Sequence, residues 1–357
     1  MVSDETGILG RRIMKAFFLH GAADLRLADL PVPEPKARDV LIAVRRAGIC
    51  GSDMHYYGHF RIGSFIPKRP FVLGHEFAGE IVAVGAGVAA TRIGERVAVD
   101  PSMPCGMCGD CRSGRYNLCR DMRFYGSASC DPHVDGGFEE FVTAPAANCL
   151  TLPDTLDWGQ AAMIEPLSVA VHALGRAATV AGKTVLVTGG GTIGQLTALV
   201  ARAFGAARVV LSDIDPRRRA FALARGADAV LDAADPDFVL QAGDLAPGGF
   251  DVVVEAAGSA QALEQGLHAA RRGGTIVQVG TLPGSVTLPL NLVMARELAL
   301  VGSFRFANAF QTAITLAAQG RIDMRPLITA VYPLADLPVA IEAAIHDRRN
   351  IKVQIAP

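Results

Sequence analysis

The stretch 184-TVLVTGGGTIGQL-196 joins an apolar strand to a helix through a turn that is rich in glycine. The glycines follow the pattern Gly189-x-Gly191-x-x-Gly194, directly after the strand. Glycines at this spacing let the backbone approach a pyrophosphate, which then lies at the N-terminus of the helix. Asp213 ends the next apolar strand, where a carboxylate can accept hydrogen bonds from both ribose hydroxyls. The stretch therefore predicts a βαβ unit that binds a dinucleotide.

Alternation of strands and helices continues on both sides of this stretch, over residues 166–305. Apolar strands such as RVVLSD and DVVVEAAG are separated by Ala-rich segments, which is typical of a doubly wound parallel sheet buried on both faces. Residues 14–165 instead contain short alternating runs separated by Gly and Pro, which predicts an antiparallel sheet or barrel. We expect residues 306–357 to complete that first domain and residues 1–13 to form an N-terminal extension.

The composition excludes several classes of protein. The chain has 357 residues, enough for two domains, and its 34 Lys and Arg nearly balance its 35 Asp and Glu. Such a balance gives no basic field for nucleic acid or for an anionic membrane surface. We find no apolar run long enough to span a membrane and no secretory signal pattern, so we expect a cytoplasmic protein.

Four of the seven cysteines fall within the segment 105-CGMCGDCRSGRYNLC-119. The ligands would be Cys105, Cys108, Cys111 and Cys119, with short intervals that let one loop wrap its thiolates around one ion. Four sulfurs without an open position are typical of a structural zinc site. An iron–sulfur cluster also uses four cysteines, but its usual runs have different spacing. Four unrelated thiols are the remaining alternative, and the polar neighbours of these cysteines argue against it.

A second group of metal-ligand types is more dispersed. Cys50, His75 and Glu76 supply one sulfur, one nitrogen and one oxygen, which is the mixed set of a catalytic zinc with a free position. Taken singly, Cys50 is equally well a core thiol and His75 a core histidine. Glu165 is a lone carboxylate in an apolar stretch, and it is either a further ligand or part of a buried salt bridge.

These motifs resemble those of the zinc-dependent medium-chain dehydrogenases. The segment 74-GHEFAGEIVAVGAGV-88 fits that family's zinc signature, G-H-E-x2-G-x5-G-x2-V, and the cysteine segment is similar to the family's structural zinc lobe. The segments 50-CGSDMHYY-57 and 165-EPLSVAVHA-173 are most similar to its polyol, or sorbitol-type, branch. The resemblance implies a GroES-like β-barrel domain, a Rossmann domain, two zinc ions per chain, and NAD or NADP as the hydride acceptor.

The resemblance also implies roles for individual residues. Cys50, His75 and Glu76 are the expected direct zinc ligands, and Glu165 is expected to reach the metal directly or through water. Ser52 would take the substrate proton and His55 would deliver it to solvent, although His55 alternatively caps a turn. Ile193 and Arg218 would flank the adenosine. The residues expected near the nicotinamide are Val279, Gly280, Thr281, Ser303, Phe304 and Arg305.

A few residues bear on the choice of cofactor and on the choice of substrate. Asp213 would repel a 2′-phosphate and so favours NAD, but the arginines at 217–219 leave NADP open. The segments 121–141 and 302–306 resemble those of bacterial L-idonate 5-dehydrogenases, which implies an aldonate oxidised at C5. The expected substrate contacts are Tyr56, Glu165, Arg305, Phe306, Arg123 and His133.

Several alternatives stay open from the sequence. For Arg123 the alternative to a substrate contact is a place facing solvent, and for His133 it is packing within a turn. Other candidate activities are a sorbitol or xylitol dehydrogenase, a threonine-type or aryl alcohol dehydrogenase, and a non-catalytic zinc and dinucleotide-binding protein. The apolar segment 286–304 is suited to pairing between subunits, so we expect a homodimer or homotetramer.

Overall fold

The computed structural model describes residues 13–357, so the expected N-terminal extension lies outside it except for Ile13, which begins the first strand. The chain forms two compact units. The first comprises the residues up to Glu165 together with Met324–Pro357, and the second comprises Pro166–Asp323. The chain therefore enters the second unit after Glu165, as the change in sequence pattern indicates. It returns to the first unit at Met324 and not at residue 306.

The first unit is built from twelve strands and four α-helices among the described residues. Its strands are β1 (Ile13–Gly21), β2 (Asp24–Pro31), β3 (Asp39–Gly48), β4 (Phe71–Val72), β5 (Glu76–Val84), β6 (Arg96–Val99), β7 (Ser102–Met103), β8 (Arg123–Phe124), β9 (Phe141–Pro145), β10 (Cys149–Thr151), β17 (Ile328–Pro333) and β18 (Lys352–Ala356). Its helices are α1 (Gly51–His59), α2 (Gly109–Arg112), α3 (Trp158–Ala162) and α11 (Leu337–His346).

Strand β3 lies at the centre of the main sheet of this unit, whose order is β10-β6-β5-β3-β18-β17, with β9 also paired to β3. Its sequence DVLIAVRRAG buries Val40, Ile42 and Val44 in the large core and Leu41 and Ala43 in a smaller cluster. Alternating residues of a strand point to opposite faces, so both faces of β3 are covered. The closing strand β18 lies between β3 and β17, which is how the C-terminal segment completes the first unit.

The second unit is a six-stranded parallel sheet with order β13-β12-β11-β14-β15-β16. Its strands are β11 (Thr184–Thr188), β12 (Arg208–Asp213), β13 (Ala229–Asp232), β14 (Phe250–Glu255), β15 (Ala270–Gln278) and β16 (Ala299–Gly302). Its helices are α4 (Ile164–Gly175, whose first two residues belong to the first unit), α5 (Thr192–Ala203), α6 (Pro216–Ala224), α7 (Phe238–Leu245), α8 (Ala260–Ala269), α9 (Leu290–Ala295) and α10 (Phe310–Ala318).

The strand order changes direction between β11 and β14, because successive strands are added first on one side of β11 and then on the other. In sheets of this kind, ligands bind at the carboxyl ends of the strands beside that point. The glycine-rich turn that follows β11 lies at this position. Within residues 13–357, none of the helices has both the length and the apolar character that crossing a membrane requires.

Candidate active site and cofactor site

The mixed set of metal-ligand types comes together in the first unit. Cys50 precedes the first residue of α1, and His75 and Glu76 lie at the start of β5. Their ligand atoms all lie within 4.8 Å of one another. His75 and Glu76 are buried, with 7% and 1% of their surfaces exposed. Residues from a helix start and a neighbouring strand therefore converge on one point.

Asp53 orients this cluster, and the sequence analysis did not single it out. Its carboxylate is fully buried and accepts hydrogen bonds from the backbone N–H groups of Cys50 (2.8 Å) and Gly74 (3.1 Å). One oxygen also lies 3.9 Å from Nδ1 of His75. Burial raises the pKa of Asp53, and His75 and the two N–H groups oppose that rise. An available signal was its place as the third residue of α1, where an acidic side chain caps a helix.

Lys352 is a second residue that the sequence analysis missed. Its ammonium group pairs with Glu76 and donates a hydrogen bond to the backbone oxygen of Ile49 at 3.0 Å. Burial lowers the pKa of Lys352, but the surrounding Glu76 and Cys50 outweigh that effect and raise it overall. A side chain at Gly48 would collide with the Glu76 carboxylate, so glycine is required there. The only hint in the sequence was a lysine within the apolar strand IKVQIAP.

Glu165 lies outside the group of ligand atoms that are within 4.8 Å of one another. It is 5% exposed, and burial raises its pKa well above the ordinary value. His75 lowers that pKa, whereas Glu76 and Cys50 raise it, so the charges of the cluster act on the Glu165 carboxyl group. This placement fits a Glu165 carboxyl group that lies beside the position that Cys50, His75 and Glu76 would give to a metal ion.

The donor set of this cluster fits a zinc ion. Burial raises the pKa of the Cys50 thiol to about 12, with Glu76 adding to that effect, so a thiolate here requires a nearby cation. A thiol, an imidazole and a carboxylate together are ligands that Zn²⁺ prefers. Cys50, His75 and Glu76 are the residues that would hold it.

The four cysteines of residues 105–119 also form a compact group, with ligand atoms within 4.8 Å of one another. None of them is in a disulfide. Backbone N–H groups of Met107 and Cys108 lower the pKa of Cys105 to about 7, whereas burial raises that of Cys111 to about 12. Four converging sulfurs fit a closed tetrahedral zinc site. A small apolar cluster of Cys119, Met122 and Phe124 packs against the other three cysteines.

Ser52 and His55 lie on α1, beside Cys50. Burial raises the pKa of the Cys50 thiol, and Ser52 opposes that rise. His55 is exposed, and its ring lies 6.0 Å from that of His59, one turn further along the helix. Burial of part of the ring, and then the neighbouring His59, lower the pKa of His55. A histidine at this place can exchange a proton with solvent directly.

The residues expected to contact the substrate differ in their burial and in their hydrogen bonds. Tyr56 is 1% exposed and its hydroxyl accepts a hydrogen bond from the Ala128 N–H at 3.0 Å, while Arg123 is exposed. His133 accepts from the Lys68 N–H through Nε2 (2.8 Å), so Nδ1 carries the proton and donates to Cys130 O (2.7 Å). Neutral His133 therefore has no ring N–H left for a carboxylate. The structure favours the alternative that this histidine packs within a turn.

Two aromatic residues of the segment 302–306 differ in how much of their surface is exposed. Phe306 is fully buried and its ring packs against Phe310, so its expected contact with substrate is not supported by its position. Phe304 is 49% exposed, and the Arg305 guanidinium lies 5.0 Å from the centre of its ring. Arg305 has a positive φ of 51°, which is uncommon for a residue with a side chain.

The glycine-rich turn of the second unit has the geometry that a pyrophosphate requires. Gly189 has a φ of 94°, and a side chain at Gly194 would collide with the backbone oxygen of Gly189. Gly191 precedes the first residue of α5, and a Cβ there would meet no protein atom within 4 Å. The turn is therefore tightly packed on its inner side and open at the N-terminus of α5, which is where an anion binds.

Asp213 and the three arginines that follow it lie at the expected adenosine end. The Asp213 carboxylate accepts from the N–H groups of Gly190 (2.6 Å) and Asp215 (2.7 Å). Arg217 pairs with Asp215 and Arg219 with Asp232, at 2.7 and 2.9 Å. Arg218 instead lies 3.7 Å from Asp213, and its Nε is buried without a partner. Arg218 is thus the arginine that faces the Asp213 carboxylate, and its unsatisfied donor fits a ligand oxygen.

Glu255 is a further residue that the sequence analysis missed, at the carboxyl end of β14. Its Oε1 accepts from the N–H groups of Ala257, Gly258 and Ser259 at 2.9, 2.7 and 3.3 Å. Its backbone oxygen accepts from the N–H groups of Val279 and Gly280. One buried glutamate therefore holds together two loops, and the second of them carries residues expected near the nicotinamide.

Comparison with known proteins agrees with both halves of this description. Residues 36–154 match the family model described as an alcohol dehydrogenase GroES-like domain. Residues 192–319 match the model described as a zinc-binding dehydrogenase. The predicted combination of a GroES-like domain with a doubly wound nucleotide-binding sheet is confirmed.

Similar proteins cover nearly the whole chain. The sorbitol dehydrogenase of Bacillus subtilis is 38% identical over 348 residues, which are 96% of this chain and 97% of that protein. The solved structure of L-idonate 5-dehydrogenase from Escherichia coli K-12 has a TM-score of 0.91 at 34% identity, covering 97% of this chain and 98% of its own. A solved structure from Sinorhizobium meliloti 1021, described as a zinc-binding dehydrogenase bound to NADP, has a TM-score of 0.89 at 36% identity and covers 97% and 100% of the two chains.

The fold, the buried mixed-ligand cluster and the glycine-rich turn together define a zinc-binding alcohol dehydrogenase. More particularly, the chain belongs to the zinc-dependent medium-chain dehydrogenases, in their polyol branch.

Proposed function

We propose that this protein is an NAD-dependent zinc dehydrogenase that oxidises a secondary alcohol of an aldonate, with L-idonate converted to 5-ketogluconate. The observation that carries the proposal is the buried cluster of Cys50, His75 and Glu76, whose thiol, imidazole and carboxylate meet within 4.8 Å. A purely structural metal site would be expected to use a closed set of four ligands, as the cysteine segment does. A catalytic zinc site has three protein ligands and leaves a fourth position open for the substrate, and this cluster offers such a set.

Each residue of the cluster has a task in this reaction. When bound, zinc lowers the pKa of the alcohol hydroxyl, and NAD accepts the hydride. Cys50, His75 and Glu76 would hold the metal, and Glu165 would complete the site directly or through water. Asp53 fixes the ring of His75. Ser52 would take the proton from the substrate hydroxyl, and the exposed His55 would release it to solvent.

NAD is the proposed cofactor because of the Asp213 carboxylate. Two of the three neighbouring arginines are paired with other carboxylates, so Arg218 is left to offset the repulsion between Asp213 and a 2′-phosphate. The half-exposed Arg218 and the NADP in the Sinorhizobium meliloti structure support some use of NADP. A carboxylate that already accepts two backbone N–H groups is nevertheless fixed in place, which favours ribose hydroxyls.

An aldonate substrate is supported by a cation in the segment 302–306, Arg305, whose guanidinium lies 5.0 Å from the centre of the Phe304 ring, and by the similarity to an L-idonate 5-dehydrogenase. A partly desolvated carboxylate needs a cationic partner, and neutral polyols do not. Arg123 is a second candidate cation, since it is exposed, whereas His133 is occupied by backbone groups. Sorbitol or xylitol is the second candidate substrate, favoured by the similarity to a sorbitol dehydrogenase.

We further propose that two copies pair through the edge of the parallel sheet and that the protein acts in the cytoplasm. Strand β16 is one of the two edge strands of this sheet, and Leu300 on it is 38% exposed. Leu290 and Met294 on the preceding helix are 61% and 70% exposed. Burial of such apolar side chains favours association, and light scattering will distinguish a dimer or tetramer from a monomer.

A substrate screen tests the proposal. The zinc-loaded protein is incubated with NAD or NADP and with L-idonate, sorbitol, xylitol or a neutral aliphatic alcohol, and reduced nicotinamide is followed by absorbance. L-idonate should exceed the neutral polyols by at least about tenfold in kcat/KM, because a charged hydrogen bond contributes roughly 1.5–3 kcal/mol. A higher kcat/KM for sorbitol or xylitol would end the aldonate assignment and leave the zinc and NAD chemistry in place.

A further inference from the structure

Gln195 connects the two parts of the adenosine end of the cofactor site. It lies in the first turn of α5, and only 2% of its surface is exposed. Its amide nitrogen donates to the backbone oxygen of Gly190 at 3.1 Å and to that of Arg218 at 3.0 Å. One amide group therefore bridges the glycine-rich turn and the first turn of α6.

The four residues around this bridge are in close contact. A Cβ at Gly190 would lie 3.0 Å from Cβ of Arg218, 3.2 Å from Oδ2 of Asp213 and 3.3 Å from Nε2 of Gln195. Gly190 is held on both sides, because its N–H donates to Asp213 and its oxygen accepts from Gln195. A displacement of Gln195 would consequently move both the Asp213 carboxylate and Arg218.

The position of Arg218 matters because it faces the Asp213 carboxylate. Its guanidinium lies 3.7 Å from Oδ2 of Asp213, and its Nε has no partner although it is buried. A buried donor without a protein partner fits an oxygen of a ligand. The distance between this guanidinium and the carboxylate decides how strongly a 2′-phosphate is repelled, since opposite charges offset one another at short range.

We infer that Gln195 is a positioning residue for the cofactor and sets its preference for NAD over NADP by fixing the backbone of Arg218 beside Asp213. The inference rests on the proposed function, because it concerns the nucleotide that the second unit takes. Gln195 acts through Gly190 and Arg218, and it serves binding without taking part in hydride transfer.

Binding of two nucleotide fragments tests the inference without catalysis. Calorimetry on the zinc-loaded protein measures the Kd of ADP-ribose and of ADP-ribose with a 2′-phosphate. Gln195→Met keeps the length of the side chain and removes both hydrogen bonds, so ADP-ribose should bind about tenfold more weakly. The ratio between the two Kd values should also move further from one in favour of ADP-ribose, because Arg218 is no longer held where it offsets the repulsion between Asp213 and the phosphate.

Gln265→Met is the matched control. Gln265 lies on α8 of the same unit and donates to the backbone oxygen of Ala233 at 2.9 Å, so the control loses the same kind of bond away from the turn. In an Arg218→Ala background, Gln195→Met should no longer change the Kd ratio, because the residue it acts through is gone. If Gln195→Met does not fold, Gln195→Asn keeps an amide that is too short to reach both carbonyls, and a partial effect is expected.

The outcomes separate the inference from the proposed function. Loss of thermal stability in Gln195→Met with unchanged affinity and unchanged ratio at 20 °C would overturn the inference while the unaltered protein still binds ADP-ribose. Failure of the unaltered protein to bind either fragment would overturn the proposed cofactor and the inference with it.

Discussion

Lys352 and Glu76 form an ion pair inside the first unit, with side chains that are 2% and 1% exposed. The lysine belongs to the closing strand β18 and the glutamate to β5, and both strands neighbour β3 in the sheet. Water cannot solvate either charge at this depth, so each depends on the other. The pair therefore ties the last strand of the chain to the cluster of metal-ligand types.

Replacing Lys352 should destabilise the protein strongly. In the zinc-free protein, Lys352→Met leaves the Glu76 carboxylate buried without a cationic partner, and the free energy of unfolding should fall by about 3–5 kcal/mol. Urea denaturation measures the change. Lys68→Met is the control, since Lys68 pairs with Asp131 on the surface, where a pair contributes at most about 1 kcal/mol. Equal losses in the two variants would contradict the importance of the buried pair, and Glu76→Gln in the Lys352→Met background should recover part of the loss.

Asp53 is expected to affect the reaction through His75. Asp53→Asn keeps the size of the side chain, but its single amide oxygen can accept from only one of the N–H groups of Cys50 and Gly74, and its NH₂ group faces the other. We expect kcat/KM to fall by about 10- to 100-fold, the usual effect of losing a group that orients a metal ligand. Zinc content and steady-state kinetics are measured together. Asp154→Asn is the control at a side chain that is 99% exposed, and activity equal to that control would refute the role.

The cysteine segment should hold a zinc ion that differs from the other. Cys105→Ser should reduce the zinc content from about two ions per chain to about one and lower the thermal stability, while residual dehydrogenase activity persists. The matched control is Cys130→Ser, because Cys130 belongs to neither group of ligands. Elemental analysis decides the point. Two ions retained in Cys105→Ser would show that these four sulfurs do not form one metal site.

Cofactor preference should follow the charge of residue 213. Asp213→Ala removes the carboxylate that repels a 2′-phosphate, so the ratio of kcat/KM for NAD to that for NADP should narrow or reverse. Asp232→Ala is the control, because Asp232 ends the next strand and pairs with Arg219. Similar efficiency with both cofactors in the unaltered protein would mean that Arg218 outweighs the carboxylate.

Asp100 should make stability depend on pH. Burial raises its pKa from 3.8 to about 6, although the Ser102 N–H donates to it. The folded state then binds more protons than the unfolded state between about pH 4 and pH 6, so stability falls as pH rises through that window. The stability of Asp100→Asn does not fall in this way. Its free energy of unfolding, compared with that of the unaltered protein, should therefore rise by up to about 2 kcal/mol from pH 4 to pH 7. Denaturation at both pH values tests this, with Asp154→Asn correcting for the lost charge.

The sequence by itself determined the features that are local in the chain. The glycine-rich turn, the apolar strands of the parallel sheet and the cysteine segment are recognisable because residues close in sequence serve one turn, one strand or one loop. The zinc signature around His75 is equally contiguous. These patterns sufficed for the family and for the two kinds of fold, which the comparisons confirm.

Only the tertiary structure decided which distant residues meet. It paired Lys352 with Glu76 because β18 lies beside β3, and it brought Asp53 against His75. It also committed both ring nitrogens of His133 to backbone groups and buried Phe306. The bridge from Gln195 to Arg218 depends likewise on the adjacency of two helices. Sequence spacing carries no information about such contacts, because the packing of elements that are far apart in the chain determines them.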